Sequence, residues 1–103
     1  QQKKSSKIRE ASANNQSVNT RNVSNITQYI SMFEEASSYN QPMNNWNTIG
    51  AERMQRMFFN ASAFLQDISM WNVNNVYQSF DFADNSPLRD NPAFVPNFSS
   101  SWQ

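Results

Sequence analysis

Residues Met57 to Trp71, MFFNASAFLQDISMW, are preceded by a worn copy of themselves at Met32 to Trp46, MFEEASSYNQPMNNW. Trp46 and Trp71 lie 25 residues apart, and the same shift pairs Met32 with Met57, Phe33 with Phe58, Ala36 with Ala61, Tyr39 with Phe64, Gln41 with Gln66 and Met43 with Ile68. A fixed period of this length restricts a chain to architectures in which each unit stacks on its neighbour. A third, weaker copy holds Val76, Phe80, Phe82 and Leu88. Phe82 and Leu88 match Phe58 and Phe64 at an interval of 24, which reads as the loss of one residue.

Each unit opens on a helical pattern. Ile26, Tyr29, Ile30 and Phe33 in the first copy, and Ala51, Met54, Phe58 and Ala61 in the second, fall at spacings that put one apolar stripe on one helix face. Asn25, Gly50 and Asn75 precede these stripes as N-caps, and Gln28 and Gln78 stand where a capping box returns its hydrogen bond. Ser37-Ser38 and Asn85-Ser86-Pro87 mark the helix ends. The expected fold is an α-rich α/β solenoid of about two and a half stacked coils, near 22–46, 47–71 and 72–90, each a short helix plus an extended or turning segment. Its core is Phe33, Tyr39, Trp46, Phe58, Phe64 and Trp71. Asn22, Asn47 and Asn72 share one frame position, where their amides are expected to bond the backbone of the next coil.

Residues 1–21 read as a flexible basic arm, with Lys3, Lys4, Lys7 and Arg9 against Glu10 in the first ten. Residues 91–103 carry Pro92 and Pro96, which exclude a regular helix, together with Phe94, Phe98 and Trp102, and read as a cap over the last coil. Eight basic and eight acidic side chains cancel, so no overall field steers the protein towards nucleic acid or an anionic membrane. Cysteine and histidine are absent, and no apolar run approaches the roughly 18 residues of a membrane span.

The pattern MFxxAxxFxQDISxW followed by NVxNV resembles the 25-residue repeat of bacterial and mycoplasmal surface proteins, the DUF285 or BspA-like family. The likeness covers about residues 22–90, best at Met57-Phe58, Ala61, Phe64, Gln66 to Ser69 and Trp71. The chain departs from it at Asn47 and Asn72, where Asp is usual, and at Leu65, where Asn is usual. The resemblance implies a leucine-rich-repeat-like solenoid used for surface display, adhesion or protein contacts, in members that also occur in unicellular algae.

Chemistry is thinly represented. Without His or Cys the common triads and zinc sites are unavailable, and a single glycine cannot build a phosphate loop. No catalytic, cofactor or metal residue is expected. Contact candidates come from frame positions where an apolar residue replaces polar siblings: Phe59 opposite Glu34 and Ala83, Tyr77 opposite Thr27 and Glu52, Leu65 opposite Asn40, and Met70 opposite Asn45. Phe94, Phe98 and Trp102 join them. Two functions are compatible with this. One is a non-catalytic protein-binding module at a cell surface or outside the cell. The other is an accessory subunit held in a large membrane or photosynthetic assembly of an alga, in an organelle lumen or at a membrane periphery.

Overall fold

The hydrogen bonds of Tyr29, Ser31, Phe33 and Glu35 set the architecture, because none of their amides bonds within its own segment. They donate instead to the carbonyls of Arg53, Gln55, Met57 and Phe59, at 2.7–3.1 Å. The amides of Met54, Arg56, Phe58 and Asn60 do the same to Gln78, Phe80, Phe82 and Asp84, at 2.8–3.1 Å. The intervening amides close tight turns three residues back, Met57 to Met54, Phe59 to Arg56 and Ala61 to Phe58. In the computed structural model, which describes residues 15–103, the chain is therefore a set of turn-built tiers, each giving half of its amides to itself and half to the next.

This overturns the expected α-rich α/β solenoid of helix-bearing coils. Among the described residues the only helices are two 3₁₀ turns, Pro87–Asp90 and Pro92–Phe94. Among these residues extended pairing is confined to isolated parallel bridges between Gln28 and Arg53 and between Arg53 and Gln78. The helix stripes, the caps at Asn25, Gly50 and Asn75 and the boxes at Gln28 and Gln78 thus have no helix to serve. The physical reason lies in two backbone positions per tier. Ser31, Arg56 and Asp81 have φ of 57°, 57° and 56°, and Glu35, Asn60 and Asn85 have φ of 63°, 59° and 60°. A left-handed residue every fourth position interrupts a right-handed helix. A stretch of about ten residues gains little from helix formation alone, so stacking against the next tier wins.

Those columns also fix the third tier's frame. The 25-residue interval holds through Asn85, so the missing residue falls between Asn85 and Leu88. Phe59 accordingly stands opposite Asp84, and Ala83, the sibling expected from sequence, is fully buried.

Aromatic residues fill the interior in columns. Phe33 stacks on Phe58 at 5.4 Å, Tyr39 on Phe64 at 5.9 Å and Trp46 on Trp71 at 6.0 Å, with interplanar angles of 16°, 7° and 9°. All six are buried. Each indole also bonds the tier before it: Trp46 Nε1 donates to the Val18 carbonyl at 2.8 Å, and Trp71 Nε1 to the Met43 carbonyl at 2.9 Å. Val18 is itself buried, so residues 15–21 pack as part of a preceding tier. The rest of the expected basic arm, with Lys3, Lys4, Lys7 and Arg9, lies outside the described residues.

The asparagine ladder exists, but in another column. Asn22, Asn47 and Asn72 close turns within their own tiers, accepting from the amides of Ser24, Ile49 and Asn74 at 3.0–3.2 Å. The bonds between tiers run from the Asn40 amide to Asn15 Oδ1 at 2.8 Å and from the Leu65 amide to Asn40 Oδ1 at 2.9 Å. A further rung joins Asn85 Nδ2 to Asn60 Oδ1 at 3.0 Å. Asn tolerates the left-handed region better than most L residues. Glu35→Asn is therefore expected to stabilise the fold by about 1 kcal/mol, through backbone preference and a new rung to Asn60. Chemical denaturation checks this, and an unchanged or lower midpoint would count against it.

At the far end, the Ile68 amide donates to the Phe94 carbonyl at 3.0 Å and the Phe82 amide to the Trp102 carbonyl at 3.2 Å. Phe98 meets Phe82 edge-on at 4.8 Å, and Ser79 Oγ lies 2.6 Å from Ser100 Oγ. Residues 91–103 thereby lie against the third tier.

One buried group is unsatisfied in a way the stacking explains. Tyr39 Oη has no hydrogen-bond partner, and the next tier carries Phe64 at the same place. Burial pushes the Tyr39 hydroxyl up to about 12 from 10.0; the Val18 backbone and the Arg21 charge offset part of this, though no hydrogen bond closes on the oxygen. Above pH 10 the unfolded chain releases this proton and the folded one retains it, so stability falls as pH rises from 10 towards 12. Tyr39→Phe is expected to raise stability by about 1 kcal/mol at pH 7 and to flatten that alkaline decline. Unfolding midpoints at both pH values test it.

Candidate contact face

The turn segments that build the ladder also present one continuous outer surface. Along it, equivalent positions form columns: Thr27, Glu52 and Tyr77; Gln28, Arg53 and Gln78; Ile30, Gln55 and Phe80; Glu34, Phe59 and Asp84. Arg53 is held between its column neighbours. Its Nη1 donates to Gln28 Oε1 at 2.9 Å and its Nε to Gln78 Oε1 at 3.2 Å. So fixed, its guanidinium lies 4.9 Å over the Tyr77 ring. Arg56 repeats the arrangement one step along, with its guanidinium 3.8 Å over the Phe59 ring and Nη2 bonded to Glu34 Oε2 at 2.8 Å. The Glu34 carboxylate raises the Arg56 pKa, so the guanidinium stays charged.

Such stacks contribute about 0.5–1 kcal/mol each at exposed sites. Their larger effect is to preorganise the surface, because an arginine and an aromatic ring that hold each other lose less freedom when something binds them. Tyr, Trp and Arg are also the residue types that dominate contact hot spots.

The sequence-derived candidates are spread over different parts of this surface. Tyr77 is 52% exposed, Met70 52% and Leu65 38%. Phe59 is only half-buried, beneath Arg56. Leu65 and Met70 lie on the return segment, away from the two arginine stacks in the chain path. Phe94, Phe98 and Trp102 are partly buried against the core. Two exposed apolar residues were missing from that set, Phe80 at 48% and Ile49 at 51%. The four-residue spacing of Val76 and Phe80 in the third copy suits a helix stripe, which would bury Phe80, and without a helix that reading fails. Ile49 has Ser24 and Asn74 as its siblings, so the frame comparison that selected Tyr77 also selects it.

Among the described residues no three His, Cys, Asp or Glu side chains gather as a metal site. Asp84 pairs with Arg89 at 3.5 Å. Asp67 accepts from Ser69 Oγ at 2.6 Å and from its amide at 3.0 Å, and the hydroxyl bond in particular lowers the Asp67 pKa. It serves the turn before Trp71. No helix among the described residues is long and apolar enough to cross a membrane.

Fold and surface together define a class of protein: turn-built tiers in 25-residue register around aromatic columns. The model of the family described as Mycoplasma protein of unknown function, DUF285, matches residues 3–92, and the chain belongs to that family. No curated protein and no solved structure matches it.

Proposed function

We propose that this protein is a non-catalytic protein-binding module displayed at a cell surface, with the tier face around Tyr77, Phe80 and Phe59 as its contact region. The observation that carries the reading is the pair of large aromatics left half in solvent, Tyr77 and Phe80, with the clamped guanidinium of Arg53 over the Tyr77 ring. Burying two rings against a partner gains several kcal/mol at about 25 cal/mol per Å², enough to anchor a specific complex on a preformed face.

The test is a photo-crosslinking amino acid placed at position 80 in the cell of origin, with the same group at the exposed Ser62 as comparison. A defined partner captured from position 80 and not from 62, with binding weakened about tenfold or more by Tyr77→Ala plus Phe80→Ala, supports the reading. Binding indifferent to both substitutions refutes it. Labelling of intact cells with a membrane-impermeant reagent tests the surface location. Recovery only within a large internal assembly would assign the chain as an accessory subunit instead.

A further inference from the structure

Along the turn segments alternate amides donate to the next tier, while at the start of each segment the amides of Glu52 and Tyr77 return a bond to the carbonyls of Thr27 and Glu52. Tier by tier, amides from Tyr29 to Glu35 donate to the second tier and amides from Met54 to Asn60 donate to the third. Beyond its first residue each turn segment is therefore polar, and on the third tier that stretch is a donor edge. The equivalent amides there are those of Ser79, Asp81, Ala83 and Asn85, and none has a hydrogen-bond partner among the described residues. The tail lies over this edge without pairing these amides: its Ser100 and Ser101 carbonyls accept from Ser79 Oγ and its Trp102 carbonyl from the neighbouring Phe82 amide, where a full junction makes four amide bonds.

We infer that this edge takes up an extended, basic segment of a partner protein, which adds to the stack as a further tier in place of the tip of the tail. The proposal rests on the protein-binding reading above and names the partner's chemistry. Polarity excludes the same edge of a second copy, because donors would face donors. The first tier of a second copy is disfavoured by charge, since Glu34 and Glu35 on its turn segment would meet Asp81 and Asp84. What remains is a strand that offers carbonyls at alternate residues, the usual currency of strand addition.

Charge selects a basic one. From residue 72 onward the chain carries Asp81, Asp84 and Asp90 against Arg89 alone, and Arg89 is committed to Asp84. The tail shows which side chains fit: Phe98 packs edge-on against Phe82, and the exposed Phe80 ring offers a face to an incoming Lys or Arg.

The experiment is amide exchange by nuclear magnetic resonance on the full chain, titrated with a short synthetic peptide that alternates Lys with Phe and Val. The amides of Asp81 and Asn85 are expected to slow about tenfold or more, while a peptide with Glu in place of Lys leaves them unchanged. Asp81→Asn combined with Asp90→Asn keeps size and tolerates the local backbone, and should weaken the peptide about fivefold. Asp81 and Asn85 amides that stay fast at the highest peptide concentration, or that respond equally to the Glu peptide, overturn the proposal. Tyr77→Ala, which leaves the edge residues and Phe80 intact, separates the two readings. Partner capture lost with edge protection retained supports the edge against the aromatic face, whereas Asp81 and Asn85 amides that stay fast while partner capture persists overturn the edge and leave the aromatic face standing.

Discussion

Trp71→Ala is expected to lower the unfolding free energy by about 3–5 kcal/mol, the range for truncating a large buried aromatic. Trp71 is almost fully buried, lies parallel to Trp46 at 6.0 Å, touches Phe58 at 6.5 Å and donates Nε1 to the Met43 carbonyl. Truncation removes the ring contacts and also strands that carbonyl, so the cost has a packing part and a polar part. Trp71→Phe separates them: it restores most of the volume but not the donor, and should recover more than half of the loss. Denaturant titration with two probes gives both numbers. A cost below about 1 kcal/mol for Trp71→Ala would contradict the stacked-column core.

Phe58→Ala is expected to cost as much, about 3–5 kcal/mol, without any polar component. Phe58 is fully buried at the centre of the aromatic array. It stacks on Phe33 at 5.4 Å and on Phe64 at 4.2 Å and meets Phe82 edge-on at 5.5 Å, so its removal opens a void facing all three tiers. Because Phe58 also touches Trp71, the two losses should not add. The double variant is expected to fall short of the sum by about 0.5–3 kcal/mol, the range for residues in contact. Simple additivity would mean that the two rings sit in separate clusters.

How far the sequence carried these conclusions differs from residue to residue. The aromatic columns were legible because a ring at the same place in successive units, such as Phe33 and Phe58, leaves a mark at a fixed interval. The local backbone was not. Apolar residues three and four apart satisfy a helix face, but they equally satisfy consecutive tight turns that face one core, and only the backbone angles at Ser31, Arg56 and Asp81 decide between them. Serine, arginine and aspartate give little sequence sign of a left-handed residue, whereas glycine would have.

The same blind spot displaced the asparagine ladder. Asn22, Asn47 and Asn72 repeat perfectly, but perfect repetition also suits a turn closed three times over. Asn15 and Asn40 carry the ladder, and Leu65 ends it by offering only its amide. On the contact face, Tyr77 was readable from its polar siblings. Phe80 was hidden by the false helix, and the arginine stacks were hidden because nothing in the sequence says that Arg53 reaches over Tyr77.

The alignment of the bonds between tiers along the stack has a mechanical consequence. Amide and carbonyl pairs that all lie along the stack are loaded one row at a time when the two ends of the chain are drawn apart, as in opening a zip, and not all together as in shearing a sheet. Drawn out this way, the protein should yield in steps close to one tier of contour, about 80 Å for 25 residues at full extension. Each step would stop where the next aromatic ring is still gripped by its neighbour, so the columns would set the force and the turns the stride.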